Sequence, residues 1–262
     1  MNLELTDKIA LISGSTKGIG FAIASQLAAE GARVIVNGRT DASVASALRQ
    51  IHQAVPQAKA EGFPGDLSTV QATEDLLKRF PAVDILVNNL GIFEPKPFEE
   101  IPDEDWRRFF EVNVLSGVRL SRAYLPGMKQ RNWGRIVFIS SESAIQIPVE
   151  MIQYGTTKTA QLAVSRGLAE YCAGTGITVN AVLPGPTRSA GVEEFVTEIS
   201  GGQPFAVFEK EFFKSVRPSS LIKRFATSEE VAALVTFVCS PAASAVTGAA
   251  LRVDGGVVRA CF

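Results

Sequence analysis

Lys8-Ile9-Ala10-Leu11-Ile12-Ser13-Gly14-Ser15-Thr16-Lys17-Gly18-Ile19-Gly20 is the stretch on which the fold turns. Residues 8–13 form a short apolar run, which reads as a buried strand. The glycine-rich turn Gly14 to Gly20 follows at once. Phe21-Ala22-Ile23-Ala24-Ser25-Gln26-Leu27-Ala28-Ala29-Glu30-Gly31 is then an alanine-rich helix stopped by a glycine. Glycines at such a turn let the backbone approach a pyrophosphate, and the helix N-terminus favours its charge. The spacing is G-x-x-x-G-x-G, not G-x-G-x-x-G. A glycine cluster alone is a weak sign; the strand, turn and helix around it make it a nucleotide-site candidate built from Gly14, Ser15, Lys17, Gly18, Ile19 and Gly20.

Outward from this unit the strand-then-helix rhythm continues. Arg33-Val34-Ile35-Val36-Asn37 is the second strand, followed by Gly38-Arg39-Thr40. In dinucleotide folds an acid at this strand end holds the ribose 2′-hydroxyl. Gly38 stands there instead, with Arg39 next and Lys17 in the first turn. Two cations and no acid suit a 2′-phosphate, so NADP(H) is favoured over NAD(H); solvated loop charges are the plainer alternative. After a polar helix (about Ala42 to Ala54), Lys59 to Phe63 is a weak third strand leading to Gly65-Asp66-Leu67-Ser68. Asp66 either accepts from an adenine amino group or, with Ser68, caps a helix running to about Phe80. Val83 to Val87 is the fourth strand, ending in Asn88-Asn89-Leu90-Gly91, where amides and a glycine can line a cleft or simply make a turn.

Pro102 to about Lys129 reads as one long helix containing Asn113, a polar amide on an apolar face that needs partners. It is either a satisfied core amide or a member of a proton path. Arg135 to Ile139 is a buried strand, and Ser140-Ser141 lies at its carboxyl end, where open α/β sheets bind ligands. Tyr154 and Lys158 open the next helix four residues apart, on one face. A phenol has a pKa near ~10. A neighbouring ammonium lowers it, and the phenol can then exchange a proton with an alcohol or carbonyl oxygen. Tyr-x-x-x-Lys alone fits a surface tyrosine on an amphipathic helix equally well. Glu142, Ser143, Gln146, Glu150 and Met151 are expected to face the pocket.

Further on, Ala160, Ala163, Val164, Gly167, Leu168 and Tyr171 keep helical spacing and suggest a close-packed face or subunit contact. Ile177 to Val182 is the sixth strand, leaving through Pro184-Gly185-Pro186-Thr187. Residues 190–225 break the short rhythm with Phe195, Phe205, Phe208, Phe212, Phe213 and Phe225, and with Gly201-Gly202 as a hinge. They read as a substrate lid or as a satellite core. Glu229 to Ser240 is the last helix, and Ala249 to Val253 the last strand.

The chain of 262 residues, 46% hydrophobic and 20% charged, fits one domain, residues 1–262. A net charge of -1 argues against a nucleic-acid or membrane-surface footprint. No apolar run reaches the ~18 residues of a membrane span, and residues 1–7 lack a signal pattern. Three scattered cysteines suit a reducing, cytoplasmic setting. His52, the one histidine, has no partner at ligand spacing, so no metal site is expected and a serine-hydrolase triad lacks its base.

Gly14-x-x-x-Gly18-x-Gly20, Asp66-Leu67, Asn88-Asn89-Leu90-Gly91, Asn113, Ser141, Tyr154-x-x-x-Lys158, Pro184-Gly185-x-Thr187 and Asp254-Gly255-Gly256 occur in this order along the chain. In that order the chain resembles a single-domain short-chain dehydrogenase/reductase over essentially its whole length. The resemblance implies an α/β, doubly wound, Rossmann-type fold with a seven-stranded parallel sheet. It implies that Tyr154 is the general acid/base, that Lys158 lowers its pKa and binds the nicotinamide ribose, that Ser141 polarises the carbonyl, and that Asn113 holds a water in the proton relay. Asn89, Gly91, Ile139, Pro184, Gly185 and Thr187 would line the nicotinamide half, and Asp66 with Leu67 the adenine half. Homotetramers or homodimers pairing the helices after Tyr154 are expected.

Two departures bear on specificity. Leu90 replaces the usual alanine of the Asn-Asn-Ala-Gly turn, which would narrow the site or shift the cofactor slightly. Related 3-oxoacyl-carrier reductases place basic residues where this chain has Asn132-Trp133 and Thr175, although Arg131 is one residue away. The expected activity is NADP(H)-dependent interconversion of a ketone and a secondary alcohol. The rivals are a 3-oxoacyl thioester reductase, a cofactor-binding sensor without turnover, and a lyase or dehalogenase.

Overall fold

The computed structural model describes residues 2–189, 191–193, 196 and 204–261. Phe195 and the Gly201-Gly202 pair lie outside the described residues. Seven strands form one parallel sheet: β1 (Ile9–Ile12), β2 (Arg33–Gly38), β3 (Lys59–Pro64), β4 (Ile85–Asn88), β5 (Gly134–Ile139), β6 (Ile177–Pro184) and β9 (Ala250–Val253). Their order is β3-β2-β1-β4-β5-β6-β9. The order reverses between β1 and β4, which opens a crevice beyond the strand ends.

The strands are apolar on both sides because helices cover both faces. On one face α1 (Gly18–Ala29), α2 (Asp41–Ala54) and α8 (Ser228–Val238) bury Ile23, Leu27, Ile51, Val231 and Val235 with Ile12, Val36 and Val87. On the other, α3 (Val70–Arg79), α5 (Ser116–Arg131) and α6 (Ile152–Tyr171) pack Leu76, Leu120, Met128 and Cys172 against Leu11, Leu86, Ile136 and Val179. No helix among the described residues is long and apolar enough to cross a membrane.

Several boundaries differ from the sequence reading. The helical stretch from Pro102 is continuous but not uniform: α4 (Asp103–Phe110) runs into α5 through a wider helical turn at Glu111–Leu115, and Asn113 lies in that turn. Thr69, not Asp66 or Ser68, caps α3: its side chain accepts from Ala72 N–H, while Asp66 accepts from Ser68. The region 190–225 starts and ends at a short parallel pair, β7 (Thr187–Arg188) with β8 (Ala226–Thr227). Between them lie α7 (Phe205–Glu211) and the turn Phe212–Val216.

Candidate active site

The glycine turn is held from three sides. Gly14 and Gly18 have φ of +61° and +60°, a backbone conformation that disfavours side chains. Gly14 N–H donates to Asn37 Oδ1 at 3.0 Å, and Asn89 Nδ2 donates to Ser13 O and Gly14 O at 3.0 and 2.9 Å. A Cβ on Gly20 would stand 2.5 Å from Asn89 Nδ2 and 2.6 Å from Gly14 O, so only glycine lets the turn close. Asn37 ties this turn to the next one, donating to Phe63 O and Gly65 O. It is a site-building residue that the sequence reading placed only as the end of a strand.

At the start of α1 no side chain caps the helix and no acid lies in its first turn. The end amides are therefore available to an anion, and the cradle fits the pyrophosphate of a dinucleotide. At the end of β2 a Cβ on Gly38 would lie 2.4 Å from Thr16 Cγ2. The two loops thus meet there, with exposed Lys17 and Arg39 beside the contact. Asp66 is exposed at the end of β3, whereas the Leu67 side chain is buried in the core and can offer a ligand only its main chain. Leu90 packs on the core beside Gly14 and does not line the cavity described next.

A cavity of about 230 Å³ opens at the carboxyl ends of β4, β5 and β6, lined by Ile19, Asn89, Gly91, Ile139, Ser141, Tyr154, Lys158, Pro184, Gly185 and Thr187. Lys158, only 4% exposed, donates from Nζ to Ile139 O at 2.9 Å and lies 5.5 Å from the centre of the Tyr154 ring. Ser140 Oγ donates to Lys158 O at 2.9 Å, which pins α6 to the end of β5. The Lys158 and Asn113 side chains crowd Gly91: a Cβ there would lie 3.3 Å from Lys158 Nζ and 3.4 Å from Asn113 Oδ1.

The electrostatics differ from the sequence expectation for the phenol. Burial raises the Tyr154 pKa above its ordinary value; the hydrogen bond with Ser141 opposes this, and the charge of Glu142 adds to it. Desolvation also pushes the Lys158 ammonium down, to about 8. Asn113 is a satisfied amide. Nδ2 donates to Ile92 O and Thr157 Oγ1, both at 3.0 Å, and Oδ1 accepts from Ile92 N–H at 2.7 Å. Gln161 Nε2 donates to its carbonyl at 2.5 Å.

Glu142 and Ser143 do not face the cavity; they turn back onto Ser141. Gln146 is exposed. Glu150 and Met151 line a second, apolar cavity of about 370 Å³, together with Phe93, Phe208, Phe212 and Arg217. Phe93 borders both cavities and meets the Tyr154 ring edge-on at 6.4 Å. The described phenylalanines of the 190–225 region serve as core and wall at once. Phe213 and Phe225 are buried 5.2 Å apart, and Phe208 and Phe212 face the cavity.

A family model described as enoyl-(acyl carrier protein) reductase matches residues 14–258. The chain is 50% identical to an uncharacterized oxidoreductase, YvaG, of Bacillus subtilis (strain 168), with all of both chains covered. Among solved structures it is similar to an L-sorbose reductase from Gluconobacter frateurii complexed with NADPH and L-sorbose. That similarity has a TM-score of 0.91 and 31% identity, over 99% of this chain and 100% of the other. A 7α-hydroxysteroid dehydrogenase complexed with NADH and 7-oxo glycochenodeoxycholic acid gives a TM-score of 0.86 and 31% identity, over 100% and 98% of the two chains. With the parallel sheet, the glycine cradle and the tyrosine–lysine helix all in place, the chain belongs to the short-chain dehydrogenase/reductase family, oxidoreductases acting on CH–OH groups with NAD(P).

Proposed function

We propose that the protein interconverts a ketone and a secondary alcohol with NADP(H), using Tyr154 as general acid/base. The observation that carries this reading is the convergence of Ser141, Tyr154 and Lys158 on one cavity beyond the glycine cradle. The bound dinucleotide supplies or takes the hydride. Tyr154 gives its proton to the carbonyl oxygen in reduction and takes it back in oxidation. Ser141 holds the same oxygen. The Lys158 amine, at about 8, keeps a large protonated share near neutrality and favours the phenolate when the proton leaves. Asn113 stands at the inner end of the proton relay and holds its neighbours through Ile92 and Thr157.

Preference for NADP(H) is supported by the crowding at Gly38, which leaves little room for a ribose-binding acid, and by Lys17 and Arg39 beside it. The apolar second cavity favours a carbonyl carrying an apolar group, with residues 190–225 as its lid. A carrier-bound 3-oxoacyl substrate finds less support. Arg131, the basic residue nearest the expected docking positions, is engaged with Val83 O at 2.6 Å and Asp84 at 3.5 Å. The exposed side of α6 at Ala163, Gly167 and Tyr171 suits a homodimer or homotetramer contact.

Side-by-side titration with NADPH and NADH, followed by a ketone panel, tests the reading. Tighter NADPH binding that Arg39→Ala abolishes is expected, with turnover on the panel. Equal or tighter NADH binding would refute the cofactor preference, and binding without turnover would favour a sensor.

A further inference from the structure

Ser141 Oγ has one proton, and Glu142 competes for it with the groups that face the cavity. Oγ donates to Glu142 Oε2 at 2.6 Å and accepts from Ser143 N–H at 3.1 Å; Ser143 Oγ donates to the same carboxylate oxygen at 2.7 Å. The other oxygen, Oε1, accepts from Arg217 Nε at 3.1 Å. Arg217 comes from the far side of the 190–225 region and also reaches Glu150 Oε1 at 3.4 Å. Glu142 is 4% exposed and Arg217 9%, so the pair is shielded from water. Arg217 therefore fixes where the Glu142 carboxylate sits, and Glu142 decides where the serine proton points.

This matters for a carbonyl substrate, whose oxygen accepts hydrogen bonds and donates none. With the serine proton on Glu142, Tyr154 is the one donor of the pair available to it. Ser141 polarises a carbonyl only when its proton swings off Glu142. Arg217 also lines the apolar cavity beside Phe208 and Phe212. A substrate group filling that cavity touches the residue that governs the serine.

We propose that Glu142 and Arg217 are positioning residues for Ser141, through which occupancy of the apolar cavity reaches the serine hydroxyl. The inference rests on the reading of Ser141 and Tyr154 as the groups that hold and protonate the substrate oxygen. The charged groups facing the Tyr154 hydroxyl are Lys158 on its own helix and Glu142 from the turn after β5. Arg217 and Glu150 act through Glu142, and the bordering residues Phe93, Thr187 and Ser189 are neutral.

The test measures kcat and KM for reduction of a ketone across pH in the wild type, Glu142→Gln, Arg217→Lys and Arg217→Met, with thermal unfolding as a folding check. Glu142→Gln breaks the ion pair with Arg217 and loosens the hold on the serine proton, so kcat should fall by about threefold or more across the profile. The KM for NADPH should stay within about twofold, because neither residue belongs to the cradle. Arg217→Met should lose about tenfold in kcat, and Arg217→Lys should recover most of it. A Glu142→Gln profile superimposable on wild type overturns the proposal. If that variant does not fold, equal kcat in Arg217→Met and wild type overturns it instead. A wild type inactive on every ketone would sink the underlying reading, and this inference with it; an active wild type with unchanged variants sinks this inference alone.

Discussion

Asn113 donates to Thr157 Oγ1 at 3.0 Å, one residue from Lys158 and three from Tyr154. The bond joins the wide turn between α4 and α5 to the helix that holds the phenol and the amine. The same Asn113 side chain exchanges two hydrogen bonds with Ile92 beside Gly91. Asn113→Ala leaves these buried partners unsatisfied. It should cost about 2–4 kcal/mol in unfolding free energy and lower kcat more than it raises the KM for ketone. Denaturant unfolding with steady-state kinetics reads both, and an unchanged kcat would contradict the positioning role.

The cradle makes its own prediction. Gly20→Ala places a Cβ against Asn89 and the Gly14 carbonyl, at distances no relaxed side chain keeps. Dinucleotide binding, followed by fluorescence titration, should weaken by about tenfold or more. Binding equal to wild type would mean the turn has more room than its geometry indicates.

Lys158 should leave a mark on the pH dependence of stability. Its folded pKa is depressed to about 8 from the ordinary lysine value of 10.5. The unfolded chain therefore binds more protons between those values, and stability rises with pH there; below about 8 both states are protonated and the penalty is constant. Without cofactor, wild type should gain about 3 kcal/mol relative to Lys158→Met between pH 8 and 10.5, the equivalent of the depression. Parallel curves for the two proteins would contradict the buried-amine account.

Thr227 and Glu230 form a capping box at the start of α8: Thr227 Oγ1 accepts from Glu230 N–H at 3.2 Å, and Glu230 Oε2 from Thr227 N–H at 2.8 Å. Arg224 holds the Glu230 carboxyl down to about 2, with Thr227 N–H adding to the effect. Thr227→Ala should cost about 1 kcal/mol of stability without changing the KM for NADPH. A large kinetic effect would show that α8 reaches further into the site.

The sheet was legible because its central strands are buried on both faces and read as short β-branched runs between glycine turns, while β3 at the edge read as weak. Gly14 to Gly20 and Tyr154-x-x-x-Lys158 were legible because local spacing alone puts their groups together. The widening of the helix around Asn113 was not: residues 111–115 lack glycine and proline, and the wider turn is held from outside by Ile92, Thr157 and Gln161. The Glu142–Arg217 pair was equally hidden. Its members are 75 residues apart in the chain, and nothing near Arg217 marks it as buried. The direction of the Tyr154 shift was missed for a related reason. A sequence reports a lysine four residues away but not the desolvation that raises the phenol and lowers the amine.

Turnover of NADPH with a ketone substrate in Tyr154→Phe tests the central claim most directly. The substitution removes the hydroxyl and keeps the ring that meets Phe93. The account predicts that ketone-dependent NADPH oxidation falls by about a hundredfold or more while NADPH still binds with wild-type affinity. Turnover equal to wild type would contradict it and remove Tyr154 from the chemistry.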